Sequence, residues 1–231
     1  MAMLILLRHG QSIYNKKNLF TGWTDVDLSG QGKMEAKQAA QLLLKHSFYP
    51  SICYTSWLKR SIHTAQILLE TMDWEHIDCI KSWKLNERHY GAWQKRDKDE
   101  VKKEVGTKEF IAIRRGYHTP PPPLLDGDAR LPNHDPKYAK LNPKLLPGTE
   151  SLEDTHLRTV NFFYESIAPK LAKGETVLVS AHGNSLRSLV MEIEKLTPKE
   201  ITKVEIPTAQ PILYNFDEIL KMENKLILKT K

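Results

Sequence analysis

The sequence predicts a three-layer α/β/α domain in which helices cover both faces of a mostly parallel, mixed sheet. Two stretches of the chain, one at the N-terminus and one beyond residue 150, alternate short apolar runs with helices that have one apolar face. Such alternation is typical of parallel strands joined by helical crossovers. With 231 residues, the chain has the size of one sizeable domain, and we expect residues 1–231 to form it.

The N-terminal half shows the order strand, helix, strand, helix. Residues 3–7 are an apolar run that predicts a buried strand. From Ser29 onward, apolar residues recur at helical spacing and predict a helix with one buried face. Residues 51–55 predict a second strand, and the apolar stripe over residues 58–69 predicts a second helix whose first turn holds Arg60.

The C-terminal half repeats this alternation. Apolar residues at helical spacing over residues 160–171 predict a helix, and the β-branched run over residues 176–181 predicts a strand. A further amphipathic helix follows over residues 186–193. Residues 211–216 and 226–228 predict two edge strands, which complete the sheet.

A polar, proline-rich segment at about residues 115–148 separates the two halves. It contains Pro120–Pro123 and further prolines and glycines. So long an irregular segment inside a compact domain is typical of a lid or a disordered linker, and we predict a lid or insertion here. The proline run would also fit a ligand of SH3-type domains, but no low-complexity sequence flanks it.

The distribution of charge favours a small acidic ligand. The formal net charge of +6 would suit nucleic acid, an acidic membrane surface or small anions. Lysines and arginines are scattered among 28 acidic residues, without a basic stripe interleaved with aromatic residues, so we expect no nucleic-acid partner. No apolar run reaches the roughly 18 residues of a membrane span, and we expect neither a signal peptide nor a membrane partner.

The cysteine content indicates a reducing compartment. Cys53 and Cys79 are the two cysteines of the sequence, and they do not form a CxxC pair. A disulfide framework or a zinc ribbon is therefore not predicted, and a cytoplasmic location is expected.

Two histidines stand where a ligand site is expected. His9 and His182 each end a predicted strand and each precede a glycine, so both should face the crevice at the carboxyl edge of the sheet. A single histidine in such a place is more often a satisfied core residue, but two in the same setting favour a site. A neutral imidazole can attack phosphorus, and the ordinary histidine pKa near 6.5 makes that form available at neutral pH. His9 is thus a candidate nucleophile.

Phosphoryl transfer also needs positive charge and hydrogen-bond donors around the transferred group. Arg8, Arg60 and His182 are the candidates to supply them. Arg60 lies in the first turn of a predicted helix, where backbone N–H groups and the helix dipole favour anions. A solvated surface arginine is the alternative interpretation of Arg60.

The sequence predicts no metal site. No HExxH, EF-hand or Walker A motif occurs, and the stretch from Asp126 to Asp128 is too short for a calcium loop. Arginines can neutralise a phosphate without a metal ion. We therefore expect phosphate chemistry that does not depend on metal.

Five sequence blocks, in this order, resemble the cofactor-dependent phosphoglycerate mutases of the histidine phosphatase superfamily. They are LLRHGQSIYNKKNLFTGWTDVDLS, YTSWLKRSIHTA, KSWKLNERHYGAW, RRGY and AHGNSLRSLV. The resemblance covers nearly the whole chain. Arg-His-Gly alone marks the whole superfamily, whereas the block LNERHYG is specific to the mutases.

The resemblance implies a phosphoglycerate mutase-like fold and an isomerase of glycolysis and gluconeogenesis. It implies that 2,3-bisphosphoglycerate primes His9, which carries the phosphoryl group between the 2- and 3-phospho forms of glycerate. Glu87 would donate and accept the proton, and His182 would stabilise the transferred group. Phosphate and carboxylate contacts are implied at Arg8, Asn15, Thr21, Gly22, Arg60, Arg88, Tyr90, Lys98, Arg114, Arg115, Gly183 and Asn184. The expected partners are small phosphoglycerates and further copies of the chain, in a homodimer or homotetramer.

Three features depart from the family pattern. Gln11 stands where glutamate is usual, and Lys95-Arg96-Asp97 stands where Gly-Leu-Asn is usual, although Lys98 is retained. The sequence ends at Lys231, near the last predicted strand, whereas typical members continue into a basic tail associated with closure. Incomplete closure would let water take the phosphoryl group. A phosphatase acting on 2,3-bisphosphoglycerate or another small phosphoester is therefore one alternative, and a non-catalytic phosphometabolite-binding protein is another.

Overall fold

The computed structural model of the protein describes residues 2–229 and has a six-stranded sheet at its centre. The strand order is β3-β2-β4-β1-β5-β6. The strands are β1 (Ala2–Arg8), β2 (Ile52–Thr55), β3 (Cys79–Lys81), β4 (Thr176–Ala181), β5 (Ile212–Phe216) and β6 (Met222–Ile227).

Four strands of the sheet are parallel. Strand β4 pairs in parallel with β1 and β2, and β2 pairs in parallel with β3. Strand β5 runs antiparallel to β1, and β6 runs antiparallel to β5. The predicted mostly parallel, mixed sheet is thereby confirmed.

The prediction of edge strands was wrong for residues 211–216. Strand β5 lies between β1 and β6, and Ile212, Leu213 and Tyr214 are buried. The edges are instead β6 and the three-residue strand β3, which the sequence analysis did not identify. Ile80 and Lys81 of β3 are exposed, so this strand carries no apolar alternation that could reveal it.

The helices cover both faces of the sheet. Helices α2, α3 and α8 coincide with predicted amphipathic stripes, and a π-helical turn over Phe163–Ile167 joins α6 to α7. No helix within residues 2–229 has the length and apolar character to cross a membrane. The helices are α1 (Ile13–Lys16), α2 (Gly30–Lys45), α3 (Lys59–Met72), α4 (Lys98–Val105), α5 (Thr107–Arg115), α6 (Leu152–Phe162), α7 (Ala168–Leu171) and α8 (Gly183–Ile193).

Alternate residues of β1 divide the core into two layers. Leu4 and Leu6 pack with side chains of α6, α7 and α8, whereas Ile5 and Leu7 pack with side chains of α2 and α3. Successive side chains of a strand point to opposite faces, so a continuous apolar run is buried on both sides. The three-layer arrangement follows directly from that run.

The proline-rich segment is ordered by one aromatic cluster. Tyr138 stacks on Trp23 and Trp57, with ring centroids 5.0 and 5.5 Å away. Its hydroxyl accepts a hydrogen bond from Asn86 Nδ2 (3.0 Å). Lys137 adds an ion pair with Asp25 at 2.6 Å. These contacts attach the segment to residues within the first three of the quoted sequence blocks.

Candidate active site

His9 and His182 lie side by side at the carboxyl edge of the sheet. Strands β1 and β4 are parallel, with Arg8 opposite Ala181, so the next residue of each strand is a histidine. The backbone N–H of His9 donates to the carbonyl of Ala181 (3.0 Å). The ring centroids are 5.0 Å apart, with the ring planes at 60°. The structure therefore brings the two predicted histidines into one crevice.

The ring of His9 presents a lone pair on Nε2. His9 Nδ1 lies 2.7 Å from the carbonyl oxygen of Gly10. A carbonyl only accepts, so Nδ1 carries the ring hydrogen and Nε2 is unprotonated. Burial lowers the pKa of His9 well below 6.5, and the positive charges of Arg60 and Arg8 lower it further. The ring is neutral at neutral pH, as a nucleophile requires.

His182 is held from behind by Ser56. His182 Nε2 lies 2.7 Å from Ser56 Oγ, which also accepts a hydrogen bond from the backbone N–H of Leu58 (3.1 Å). His182 Nδ1 is buried and has no hydrogen-bond partner among residues 2–229. Burial and the positive charge of Arg60 lower the pKa of His182 well below 6.5, so this ring is also neutral.

Two buried arginines flank His9. Arg60 is 1% exposed, and its Nη1 and Nη2 donate to the carbonyls of Thr24 (3.1 Å) and Gly22 (2.8 Å). Arg8 Nη1 donates to the carbonyl of Ile206 (2.7 Å). The Nε atoms of both arginines are buried without a partner among the described residues. Burial lowers the pKa of Arg60 to about 10, so it stays cationic at neutral pH.

The carboxylate of Glu87 has one fixed oxygen and one open oxygen. Glu87 Oε1 accepts from the backbone N–H groups of Arg88 (2.8 Å) and Asn184 (3.0 Å). Glu87 Oε2 accepts no hydrogen bond from residues 2–229. A Cβ atom at Gly183 would lie 3.6 Å from both Glu87 Oε2 and Arg8 Nε, so glycine keeps this approach open.

A cavity of about 190 Å³ borders His9 and carries most of the predicted site. Its walls are rich in arginine, lysine and amide groups, which suits a small anion. The predicted residues that line it are Arg8, His9, Asn15, Thr21, Gly22, Arg60, Glu87, Tyr90, Lys98, Arg114, Arg115, Gly183 and Asn184.

Arg88 and His182 are the two predicted site residues outside this lining. Arg88 is fully buried and donates to the carbonyls of Ile113 (2.9 Å) and Arg114 (2.9 Å) and to the hydroxyl of Tyr90 (3.0 Å). These bonds leave Arg88 behind the cavity lining, where it holds Tyr90 and Arg114, which do line the cavity. His182 contacts His9, which does line the cavity, with the ring centroids 5.0 Å apart.

Arg114 and Arg115 reach the cavity from the last turn of helix α5, which ends where the proline-rich segment begins. Among the described residues, none of residues 116–148 lines the cavity. The aromatic contacts of Tyr138 hold this segment beside the site. Arg115 forms an ion pair with Glu205, which also lines the cavity.

Sequence reasoning missed five residues of the cavity wall. Arg187 had a usable signal, because it follows Asn184 by three residues at the start of a helix and therefore shares its face. Arg187 Nη1 donates to Asn184 Oδ1 (3.0 Å). Leu19 and Phe20 lie inside the first of the five sequence blocks, whereas Glu205 and Ile206 lie outside all of them. The five are Leu19, Phe20, Arg187, Glu205 and Ile206.

The departures from the family pattern have structural roles. Gln11 Oε1 accepts from Ser29 Oγ (2.8 Å), and Ser29 caps helix α2. Asp97 caps α4 by accepting from two backbone N–H groups, which places Lys98 at the first position of that helix.

Within residues 2–229, no three histidine, cysteine or acidic side chains converge as a metal site would require.

Comparison with known families places the chain in one superfamily. The family model described as histidine phosphatase superfamily (branch 1) matches residues 4–219. The chain belongs to this superfamily.

Individual relatives are more specific. The chain is 49% identical to the 2,3-bisphosphoglycerate-dependent phosphoglycerate mutase of Nautilia profundicola, over 97% of this chain and 98% of the relative. It is 48% identical to the enzyme of the same name from a Hydrogenobaculum species, over 99% and 92% of the two chains. Among solved structures, Bacillus stearothermophilus YhfR superposes with a TM-score of 0.73 at 20% identity, over 96% and 95% of the chains. A mycobacterial glucosyl-3-phosphoglycerate phosphatase has a TM-score of 0.71 at 23% identity, over 93% of each chain. These two structures support the fold alone.

Proposed function

We propose that the protein is an isomerase that interconverts 2-phosphoglycerate and 3-phosphoglycerate through a phosphohistidine at His9. One observation carries the proposal: His9, neutral and with its lone pair on Nε2, lines a cavity that Arg8, Arg60 and Glu87 also line. The relatives that match nearly the full chain at 48–49% identity support it, because their names state this activity.

His9 acts as the group that carries the phosphoryl. Its Nε2 forms a bond to phosphorus while the bond between phosphorus and the departing oxygen breaks. The transferred group spreads negative charge over its equatorial oxygens. The Nε–H groups of Arg8 and Arg60, which have no partner within residues 2–229, are donors for those oxygens, and backbone carbonyls hold both arginines in place.

Glu87 moves the proton. Its Oε2 gives a proton to the oxygen that leaves when His9 is phosphorylated, and takes a proton from the substrate hydroxyl that attacks phosphohistidine. Transfer to one hydroxyl of glycerate and removal from the other together produce the isomer. The two backbone bonds to Oε1 keep the open oxygen directed to the cavity side.

His182 stabilises the transferred group through Nδ1. Ser56 Oγ already accepts from Leu58, so its own hydrogen is free to be donated to His182 Nε2. In a neutral ring, the hydrogen then sits on Nδ1, the buried atom without a partner among residues 2–229. This tautomer supplies one more donor next to His9.

The cavity suits 2,3-bisphosphoglycerate as the priming cofactor. When bound, that cofactor supplies the phosphoryl group that first loads His9. The buried, unpartnered donors of Arg8 and Arg60 fit its phosphate oxygens. Further cations and polar groups of the wall would hold the other acidic groups of cofactor and substrate. These are Asn15, Thr21, Gly22, Tyr90, Lys98, Arg114, Arg115, Gly183 and Asn184.

The proposal includes a cytoplasmic homo-oligomer. The resemblance to phosphoglycerate mutases supports a homodimer or homotetramer, and glycolytic substrates support the cytoplasm. Light scattering coupled to size-exclusion chromatography measures the oligomeric mass, and a monomer over the working concentration range would contradict this part.

The decisive assay follows products. Incubation of the pure protein with 3-phosphoglycerate and a trace of 2,3-bisphosphoglycerate should yield 2-phosphoglycerate without accumulation of inorganic phosphate. His9→Ala should abolish both turnover and labelling by radioactive 2,3-bisphosphoglycerate. His63→Ala is the matched control, because His63 pairs with Asp27 and does not line the cavity.

Other outcomes of this assay identify other functions. Steady release of inorganic phosphate by the wild type would identify a phosphatase. Affinity for phosphoglycerates without turnover would identify a binding protein. Turnover retained by His9→Ala would refute the assignment of the nucleophile.

A further inference from the structure

We propose that Arg158 is a positioning residue that holds the backbone around Glu87 and so aims its open carboxylate oxygen. The inference rests on the proposed role of Glu87 as proton donor and acceptor. Arg158 belongs to helix α6 and does not line the cavity. Its hydrogen bonds act on the backbone around Glu87, and its charge also contributes to lowering the pKa of His182, after burial and Arg60.

The five N–H groups of the Arg158 guanidinium make five hydrogen bonds. Nη1 donates to the carbonyls of Lys84 (2.8 Å) and Asn86 (3.0 Å). Nη2 donates to the carbonyl of Glu87 (3.0 Å) and to Glu150 Oε2 (2.8 Å), and Nε donates to Glu150 Oε1 (2.6 Å). An arginine offers five donors in a fixed planar geometry, so one side chain fixes three carbonyls of one short segment.

Glu150 extends these contacts past Glu87, and we call the Arg158–Glu150 pair with its hydrogen bonds to residues 84–89 the clamp. Its Oε2 accepts from the backbone N–H of His89 (2.8 Å), and its own N–H donates to the His89 carbonyl (2.9 Å). The side chains of Arg158 and Glu150 are 9% and 4% exposed. Loss of one partner of such a buried pair leaves the other charge uncompensated. The segment from Lys84 to His89 is thus held on both sides of Glu87.

The clamp and the catalytic carboxylate share one peptide segment. The carbonyl of Glu87 accepts from Arg158 and from Trp23 Nε1 (2.6 Å), which uses both of its lone pairs. The next N–H, that of Arg88, donates to Glu87 Oε1. A shift of the carbonyls would move that N–H and turn Oε2. A misplacement of about 1 Å in a catalytic group can cost ~100-fold in rate.

Two substrates with different leaving groups distinguish a positioning role of Arg158 from a general loss of structure in the variant. A glycerate oxygen leaves phosphorus as a strongly basic alkoxide and needs the proton of Glu87. In p-nitrophenyl phosphate, the oxygen leaves as a stabilised p-nitrophenolate anion and needs no proton. In both cases the same bond forms between His9 Nε2 and phosphorus. Misalignment of Glu87 therefore slows phosphoryl transfer from the phosphoglycerate to His9, but not transfer from p-nitrophenyl phosphate.

The experiment compares the full-length wild type with Arg158→Met, Arg158→Lys and Glu87→Gln. We expect Glu87→Gln and Arg158→Met to lower kcat for 3-phosphoglycerate by ~100-fold, the usual size of a general acid–base contribution. The burst of p-nitrophenolate released in the first turnover should fall by less than about threefold, because formation of phosphohistidine from this substrate does not use the proton of Glu87. Steady-state release also needs Glu87, which takes the proton of the water that hydrolyses phosphohistidine. KM for 3-phosphoglycerate should stay within about twofold, since Arg158 does not line the cavity. The kcat of Arg158→Lys for 3-phosphoglycerate should lie between those of the wild type and Arg158→Met.

Arg130→Met is the matched control. Arg130 also donates to two carbonyls of one short segment, those of Ala92 (3.4 Å) and Gln94 (3.2 Å), and it pairs with Asp128 at 2.7 Å. It has no hydrogen bond to the segment from Lys84 to His89. This variant should keep both activities.

Three results would overturn the inference: equal loss on both substrates, a rise in KM with unchanged kcat, or no loss at all. If Arg158→Met does not fold, the same comparison is decided on Arg158→Lys. If the wild type releases no measurable p-nitrophenolate, the inference is tested with 3-phosphoglycerate alone: Arg158→Met should lower kcat and leave KM nearly unchanged. A wild type without isomerase activity would refute the proposed function itself, and single-turnover labelling of His9 would still test Arg158.

Discussion

The imidazole ring of His9 lies 5.0 Å from that of His182, although the two residues belong to different halves of the chain. The parallel pairing of β1 with β4, with Arg8 opposite Ala181, creates this contact. Two buried neutral rings at this distance share one environment of positive charge, since Arg60 and Arg8 lower the pKa of both. A substitution that alters the charge around one ring is therefore expected to alter the pKa of the other ring as well.

Ser56→Ala tests the support of His182. Removal of Ser56 Oγ deletes the hydrogen bond to His182 Nε2 and frees the ring to change tautomer. We expect kcat for 3-phosphoglycerate to fall about tenfold, the equivalent of one ordinary hydrogen bond, with little change in KM. Ser51→Ala is the control, because Ser51 lies exposed at the other end of the same strand. An unchanged kcat in Ser56→Ala would contradict the role given to His182.

Gly32→Ala tests the turn that presents His9. A Cβ atom at Gly32 would lie 2.1 Å from the carbonyl oxygen of Gln11, a backbone atom that cannot rotate away. We expect a loss of about 3 kcal/mol or more in the free energy of unfolding, measured by urea titration. Gly30 begins the same helix, and a Cβ atom there would lie within 4 Å of no other atom. Gly30→Ala should therefore leave the free energy of unfolding unchanged or raise it slightly. Equal stability of the two variants would contradict the close packing.

The buried histidines predict loss of stability in mild acid. Burial lowers the pKa of His9 and His182 well below 6.5, and burial with the charges of Arg158 and Arg130 lowers the pKa of His89 to about 3. Below pH 6.5 the unfolded chain therefore binds more protons than the folded chain, and folding weakens as pH falls. Each ring contributes about 1.4 kcal/mol per pH unit.

Urea unfolding between pH 7.5 and pH 5 measures this dependence. His89→Gln should make the slope shallower by about one proton. Stability that stays constant over this range would show that the rings are not held neutral.

Tyr138 is expected to hold the proline-rich segment in place. Tyr138→Phe removes the hydroxyl that accepts from Asn86 and should cost about 1 kcal/mol. Tyr138→Ala also removes the stacking on Trp23 and Trp57 and should cost about 3–5 kcal/mol. Limited proteolysis within residues 116–148 should then be faster. Leu125→Ala is the control in the same segment, since Leu125 is 78% exposed. Equal cleavage rates would show that other contacts hold the segment.

Local patterns allowed most of the sheet and helix elements to be predicted. Strands β1 and β4 and helices α2, α3 and α8 have apolar spacings that depend on neighbours within a few residues. Strand β3 has no such spacing, and the internal position of β5 depends on its pairing with β1 and β6. Those pairings join distant segments, which no local window contains.

The same limit applies to the site. The Arg-His-Gly and Leu-Asn-Glu-Arg-His-Tyr-Gly blocks pointed to His9 and Glu87, and the cavity lining includes both. The supports of the site were not predicted: Ser56 behind His182, and Arg158 behind Glu87. Each contacts its target across more than 70 residues of sequence. No spacing rule covers such a contact.

The sequence by itself determined the layered α/β fold and the residue types of the chemistry, because apolar periodicity and short motifs are properties of neighbouring residues. Only the tertiary structure decided which oxygen of Glu87 is open, which nitrogen of His9 is unprotonated, and that Arg88 lies behind the cavity lining. It also placed residues 116–148 beside the cavity, outside its lining. Hydrogen bonds between distant segments settle these points, and those bonds exist only once the parallel strands have brought the segments together.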